Sequence, residues 1–422
     1  MKNIIIAIFI AALFYTLYFM GSYPQALYYV DMAYQYIGKS LSYAGSNIAA
    51  VLLRNPVTVA DLHNKYNSVP VKKVRVLIIP GHEPDLGGTE YRDLKERNMN
   101  VELARELGNF LKNNGHYDVI LARDEKIWSP ALMDYFKNNW SEIIEFLKDN
   151  REATLRQVKE GETVKYVSKM QHNKAPADVA LRLYGINKWE TENDIDIAIH
   201  VHFNDVPRSS RHQPGKYSGF AIYIPEPQFA HSFTTRAVAE NVFKRLEKYN
   251  AVSNLPAEDE GLVEGSELIA IGANNTTNSA SMLIEYGYIY EPQFQNSEVR
   301  SKVLKDMAFQ TYLGLQDFFG QGNDVSFAYD TLMLPHSWKD ELTVSKGGIS
   351  DVLALQSALL LDGVYPGEGR TKNDCPRTGK IGPCTLGAIE AFQKKNGIKR
   401  ERGIVGEMTR NVLNQKYSVK GF

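Results

Sequence analysis

The chain predicts an α/β fold. It has a mostly parallel sheet with helices on both faces, a small C-terminal three-helix domain, and an apolar N-terminal helix. Three observations carry that expectation. Between about residues 71 and 320, short Val- and Ile-rich runs alternate with amphipathic segments, as in a sheet covered on both sides. Beyond residue 349 the apolar residues recur only at helical spacing. At the start, Ile4 to Met20 form an almost unbroken apolar run.

The 422 residues suggest two or three folded units, and 44% hydrophobic with 23% charged residues is ordinary globular composition. A net charge of −1 gives no argument for nucleic acid or for a broadly basic surface. Residues 1–20 are read as an uncleaved membrane-anchor helix, because the apolar run is near the ~17–25 residues that span a bilayer. A cleaved signal is the alternative, although no Ala-x-Ala site follows the run. In either case the bulk of the protein is exported, outside the cytoplasmic membrane, at a cell wall or in a periplasm. Residues 21–70 read as a helical stalk, with Tyr28, Tyr29, Met32, Tyr36, Ile37 and Leu41 at helical spacing. The tyrosines also suit a membrane–water interface.

The α/β unit is expected over 71–320. A strand at 74–79 is followed by a helix at about 98–113 with Val101, Ala104, Leu107 and Leu111 on one face. Asn113-Asn114-Gly115 closes that helix, and a strand at 117–122 follows. Residues 125–178 form a long insertion, mostly helical in pattern, with Trp128, Leu132, Tyr135, Trp140, Ile143, Ile144 and Leu147, then a charged stretch. Loops of this length are functional or disordered, so a cover for a cleft and a peripheral decoration both stay open. Strands follow at 194–202, 219–224, 268–271 and 281–288, with helices at 232–249 and 299–319. Residues 321–348 carry Gly, Pro and no sustained period and read as a linker. A helix starting near Ser350, a suitable N-cap, opens the last unit, 349–415. There Ile381-Gly382-x-x-Thr385-x-x-Ala388-Ile389 is echoed by Val405-Gly406-x-x-Thr409-x-x-Val412-Leu413. Each glycine allows a tight turn into a helix.

The chemistry collects at the carboxyl ends of the strands, where open α/β sheets place ligands. The first strand stops at Pro80-Gly81 and is followed by His82, and Glu96 arrives where a helix begins. A histidine and a carboxylate there make half of a zinc site. The bland alternative is a loop histidine and a first-turn carboxylate favoured by the helix dipole. His200 and His202, two apart on a strand, share a face, and buried histidines are costly without partners. Glu285 follows a third apolar run.

Pro80-Gly-His82, Leu94-Lys-Glu96, Ile199-His-Val-His202-Phe-Asn204 and Leu283-Ile-Glu285-Tyr-Gly287 together resemble the four blocks of the zinc-dependent N-acetylmuramoyl-L-alanine amidases of type 3, in order and in context. Glu83-Pro84 departs from the glycines common in the first block. Arg182 and Asn187 stand where the family often has an arginine and an asparagine. The resemblance implies Zn²⁺ held by His82, Glu96 and His202, with Glu285 as general acid–base. His200 and Asn204 then support the metal shell or touch substrate. Arg208, Arg211 and Lys216 become candidates for stem-peptide carboxylates or a solvated basic loop. Residues 349–415 resemble the three-helix peptidoglycan-binding module. Cys375 and Cys384 are close in sequence and, in an exported protein, are expected to pair. A short zinc site there lacks further ligands. The implied function is zinc-dependent cleavage between N-acetylmuramic acid and L-alanine in peptidoglycan, for wall remodelling or turnover. A silent wall-binding scaffold or activator, or a zinc peptidase within the stem peptide, is the alternative. Expected partners are peptidoglycan, the membrane through the N-terminal segment, and a protein activator.

Overall fold

The computed structural model describes residues 56–161, 163, 175–321 and 329–418. The expected anchor (1–20), most of the expected stalk and the later part of the charged stretch expected from Arg151 to Lys169 lie outside the described residues. Among the described residues no helix is long and apolar enough to cross a membrane.

Helix α1 (Val59–Tyr66) starts with a capping box: the Thr58 hydroxyl accepts the Asp61 N–H and the Asp61 carboxylate accepts the Thr58 N–H. Leu62 and Tyr66, four apart on one face, are buried in the main core, and the Tyr66 ring stacks on Phe319 at 4.1 Å. This end of the segment expected as a stalk therefore packs into the globular unit. Next come β1 (Val74–Pro80), the short hairpin β2 (Glu90–Tyr91) and β3 (Leu94–Lys95), α2 (Glu96–Lys112) and β4 (Tyr117–Leu121). The insertion supplies α3 (Pro130–Asn138) and α4 (Trp140–Lys159), followed by α5 (Ala177–Glu192) and β5 (Ile197–Asn204). Then come β6 (Ala221–Pro225), α6 (Ser232–Tyr249), β7 (Leu262–Gly265), β8 (Ala280–Tyr288), α7 (Pro292–Gln295) and α8 (Ser297–Phe318).

The six-stranded sheet has the order β4-β1-β5-β8-β6-β7. Strands β4, β1, β5 and β8 are parallel, β6 runs antiparallel to β8, and β7 is parallel to β6. One face packs Val76, Ile78, Ile199, Val201 and Ile284 under α2, α6 and α8. The other face sets Leu77, Ile79 and Ala198 against Trp128, Leu132, Ile186 and Trp189. The start of the insertion is thus part of the sheet's cover rather than a decoration. Leu268–Ile271, expected as a strand, is a 3₁₀ turn over Ile269–Ile271 that closes at Gly272 in the left-handed region (φ 85°). The edge strand is β7 instead.

A second cluster gathers α9 (Ile349–Leu361), α10 (Pro383–Lys395) and α11 (Glu407–Tyr417) around Leu355, Leu359, Ile389, Phe392 and Leu413. Helix α9 begins one residue before Ser350, with Gly348 as its N-cap, so Ser350 lies inside the first turn. Gly406 keeps an ordinary negative φ. A Cβ there would come within 2.5 Å of the Glu401 carboxylate, which accepts the N–H groups of Met408 and Thr409 at the start of α11. Within 321–348, expected as a linker, Leu334, Trp338 and Leu342 are buried in this second core, and Trp338 Nε1 donates to Asp351 O at 2.9 Å. Cys375 and Cys384 form a disulfide.

Candidate active site

Three strand ends and one helix start build the site. After β1, the Gly81 N–H donates to Val201 O at 2.8 Å, drawing the chain against β5. A Cβ at Gly81 would lie 2.1 Å from His202 Cε1, so only glycine leaves room for that imidazole. His82 follows with φ 69°, a left-handed conformation uncommon for a side-chain-bearing residue. Helix α2 then delivers Glu96 as its first residue, where the N-terminal dipole favours a carboxylate.

Glu96 is buried and fully engaged. Its Oε1 lies 2.8 Å from His82 Nε2, 3.1 Å from His202 Nδ1 and 3.2 Å from the Phe203 N–H, while Oε2 accepts the Thr89 N–H at 2.9 Å. Burial opposes its ionisation, but the two histidines outweigh burial and hold the carboxyl well below its usual range. His202 is itself pushed down by burial, against the pull of Glu96. One ligand atom from each of His82, Glu96 and His202 lies within 4.8 Å of the others.

Glu285 pairs with His202 across β5 and β8, next to a register shift between His202 and Asn204. Its Oε2 is buried and has no hydrogen-bond partner. Burial first, then the Glu96 and Glu258 carboxylates, push its pKa well above the usual carboxylate value. Two imidazoles and a carboxylate that converge beside an unpartnered buried carboxylate oxygen fit a catalytic zinc centre, which takes three protein ligands and keeps one open position.

The other sequence candidates take different places. His200 is one layer deeper on the same strand face as His202, only 1% exposed, with Nε2 unpartnered. Burial, then His202, lowers its pKa to about 3. Asn204 turns away to donate to Glu258 Oε1 at 2.7 Å. The Arg208 guanidinium is occupied by Asp205 and by Glu90 O, so it braces the loop. Arg211 is exposed, 3.8 Å from Glu90, and Lys216 lies over the Tyr217 ring.

Three residues escaped the sequence reading. Arg123, 1% exposed, donates to Pro80 O, Gly81 O and Arg97 O and so props the His82 loop from below. Asn100 adds a second donor to Gly81 O at 3.1 Å. Glu258 accepts from Asn204, Tyr223, Ser253 and Tyr288, clamping the ends of β5, β6 and β8 together. Their partners lie far apart in sequence, and no local motif announces them.

Residues 76–317 match the profile of the N-acetylmuramoyl-L-alanine amidase family. The chain belongs to that family. Residues 349–413 of the amidase match a peptidoglycan binding domain. Among solved structures, the amidase is similar to the CwlD amidase of Clostridioides difficile in complex with the GerS lipoprotein (13% identity, 59% of this chain and 99% of that one, TM-score 0.37). It is also similar to the amidase Ami1 of Mycobacterium smegmatis (14% identity, 58% and 97% covered, TM-score 0.38). The catalytic domain of CwlV from Bacillus (Paenibacillus) polymyxa is a third (16% identity, 60% and 99% covered, TM-score 0.34). No curated protein matches the chain. Family membership makes the protein a hydrolase of peptidoglycan amide bonds, and with the binding domain it places its action at the cell wall.

Proposed function

We propose that this amidase is a zinc hydrolase that cuts the amide between the lactyl group of N-acetylmuramic acid and L-alanine of the stem peptide. The convergence of His82, Glu96 and His202, with Glu285 opposite His202 on the next strand, carries this reading. An amide is a poor electrophile and neutral water a poor nucleophile; His82, Glu96 and His202 would hold a zinc ion, which would supply Lewis acidity toward the carbonyl and a water more easily deprotonated near neutral pH. The chain's own groups do the rest. Glu285 takes the proton from the attacking water and passes it to the leaving nitrogen. The Gly81 gap and the Thr89 and Phe203 N–H groups fix the triad before substrate arrives. His200 lines the floor beneath His202, and Glu258 sets the spacing between the His202 and Glu285 strands.

In this reading residues 1–20 anchor the enzyme in the membrane, 71–320 form the catalytic domain and 349–415 bind the wall. Holding the catalytic domain near insoluble substrate raises its effective concentration without new catalytic contacts. Metal content tests the core of the proposal. Purified wild-type chain should carry one zinc, and His82→Ala and His202→Ala should each lose it, because each removes one of three protein ligands. Full zinc occupancy in both variants contradicts the ligand assignment.

A further inference from the structure

Glu83 is a buried carboxylate beside His82 that the chemistry above does not use. It is 8% exposed, and both of its oxygens are engaged. Oε2 accepts the Trp128 indole N–H at 2.8 Å, and Oε1 accepts the Arg182 Nε–H at 2.7 Å. Arg182 is held in turn by Asp178 at 2.8 Å. Trp128 stands near the entrance of the 125–178 insertion and Arg182 just beyond its exit, in α5. One carboxylate therefore ties the metal-binding loop to both ends of the insertion.

The neighbouring backbone needs such a tie. A residue with a Cβ stays in the left-handed region only where its surroundings over-determine it, and His82 sits there. On its N-terminal side, Gly81 O accepts from Asn100 and Arg123, and Pro80 O accepts from Arg123 at 2.9 Å. On its C-terminal side, the Glu83 N–H donates to Leu86 O and Arg97 Nη1 donates to Gly87 O, each at 3.1 Å, and the clamped Glu83 side chain adds the tie nearest His82.

We propose that Glu83 is a positioning residue, whose bonds to Trp128 and Arg182 hold the His82 backbone and so aim its imidazole at Glu96 and His202. The insertion is then a brace for a metal ligand. This rests on reading the triad as a zinc site, and the test separates the two. Zinc affinity is measured on the purified full chain in detergent by competition with a chromophoric chelator. The panel is wild type, Glu83→Gln, Trp128→Phe, Arg182→Gln and the Glu83→Gln/Trp128→Phe double variant. The kcat and KM of each on a soluble muropeptide, and the melting temperature of each metal-free form, are measured alongside.

Glu83→Gln should weaken zinc binding ~10–100-fold, the usual cost of losing a group that orients a ligand. Its kcat should fall while KM stays near wild type, and its metal-free form should melt close to wild type. Trp128→Phe, which keeps an aromatic ring but loses the indole N–H and part of its buried packing, and Arg182→Gln should shift affinity the same way by less. Trp128→Phe should add little on top of Glu83→Gln, because both act through one contact. Wild-type zinc affinity in all the single variants overturns the proposal, as does full additivity in the double variant. If Glu83→Gln does not fold, Trp128→Phe and Arg182→Gln decide. A wild-type chain that binds no zinc sinks the zinc reading together with this one.

Discussion

Gly81 lacks a side chain because the His202 imidazole occupies the space a Cβ would need. That contact, the four contacts of the Glu96 carboxylate and the unpartnered Glu285 oxygen set the geometry of the candidate site. A further buried carboxylate, Glu190, makes a pH test. Glu190 Oε2 accepts the hydroxyls of Thr277 and Ser279, each at 2.8 Å, while Oε1 has no partner. Burial outweighs those hydrogen bonds and raises its pKa from 4.5 to about 7. Between these values the folded chain keeps a proton that the unfolded chain has released, so stability falls as pH rises through that window. The full effect is at most about 3 kcal/mol. Glu226, also raised to about 7 by burial, acts in the same window. Glu190→Gln should therefore reduce, not abolish, the loss of urea stability between pH 5 and pH 8. An unchanged loss contradicts the buried, protonated state.

Elements show where local pattern reads well and where it fails. The strands before His82, around His202 and before Glu285 were readable because each is a short β-branched run, and the sheet's order places their ends together. The 3₁₀ turn at Ile269–Ile271 was not, because with Leu268 before it the run has four apolar residues that fit a strand until Gly272 turns left-handed. The loop between α9 and α10, closed by the Cys375–Cys384 disulfide, reaches the amidase unit in a way no motif foretold. Its Arg377 pairs with Asp306 of α8 at 3.0 Å, and the two side chains are 4% and 0% exposed. Asp306 also accepts from Thr331 and Leu332, and Asn373 donates to Ser218 O and Val252 O. Removing one partner of a buried ion pair leaves an uncompensated charge at a cost of ~3–5 kcal/mol. Arg377→Met should lose that much in urea denaturation, and Asp306→Asn/Arg377→Met should lose less. A loss below ~1 kcal/mol in the single variant means the pair is not desolvated as the structure has it.

At the scale of the whole molecule, the four blocks were legible in sequence because each keeps its chemical residue beside its own strand or helix start. The groups that hold the blocks together were not. Asn204 and Glu258 are 54 residues apart, and Glu83 and Arg182 are 99 apart, so only the fold makes them neighbours. The same holds for the second core, whose Arg377, Asn373 and Lys372 seat it on α6, α8 and the Ser218 and Val252 loops. The wall-binding unit is thus docked on the catalytic one rather than strung from it. In the proposed reaction this assembly hydrolyses the muramyl–L-alanine amide with Glu285 as acid–base. The most direct test is end-group analysis of peptides released from purified sacculi by the wild type and by Glu285→Gln. The wild type should release intact stem peptides with free L-alanine amino ends, and Glu285→Gln should slow that release by ~10²-fold or more. Peptides cut within the stem, or equal release by the two proteins, would contradict the proposed reaction.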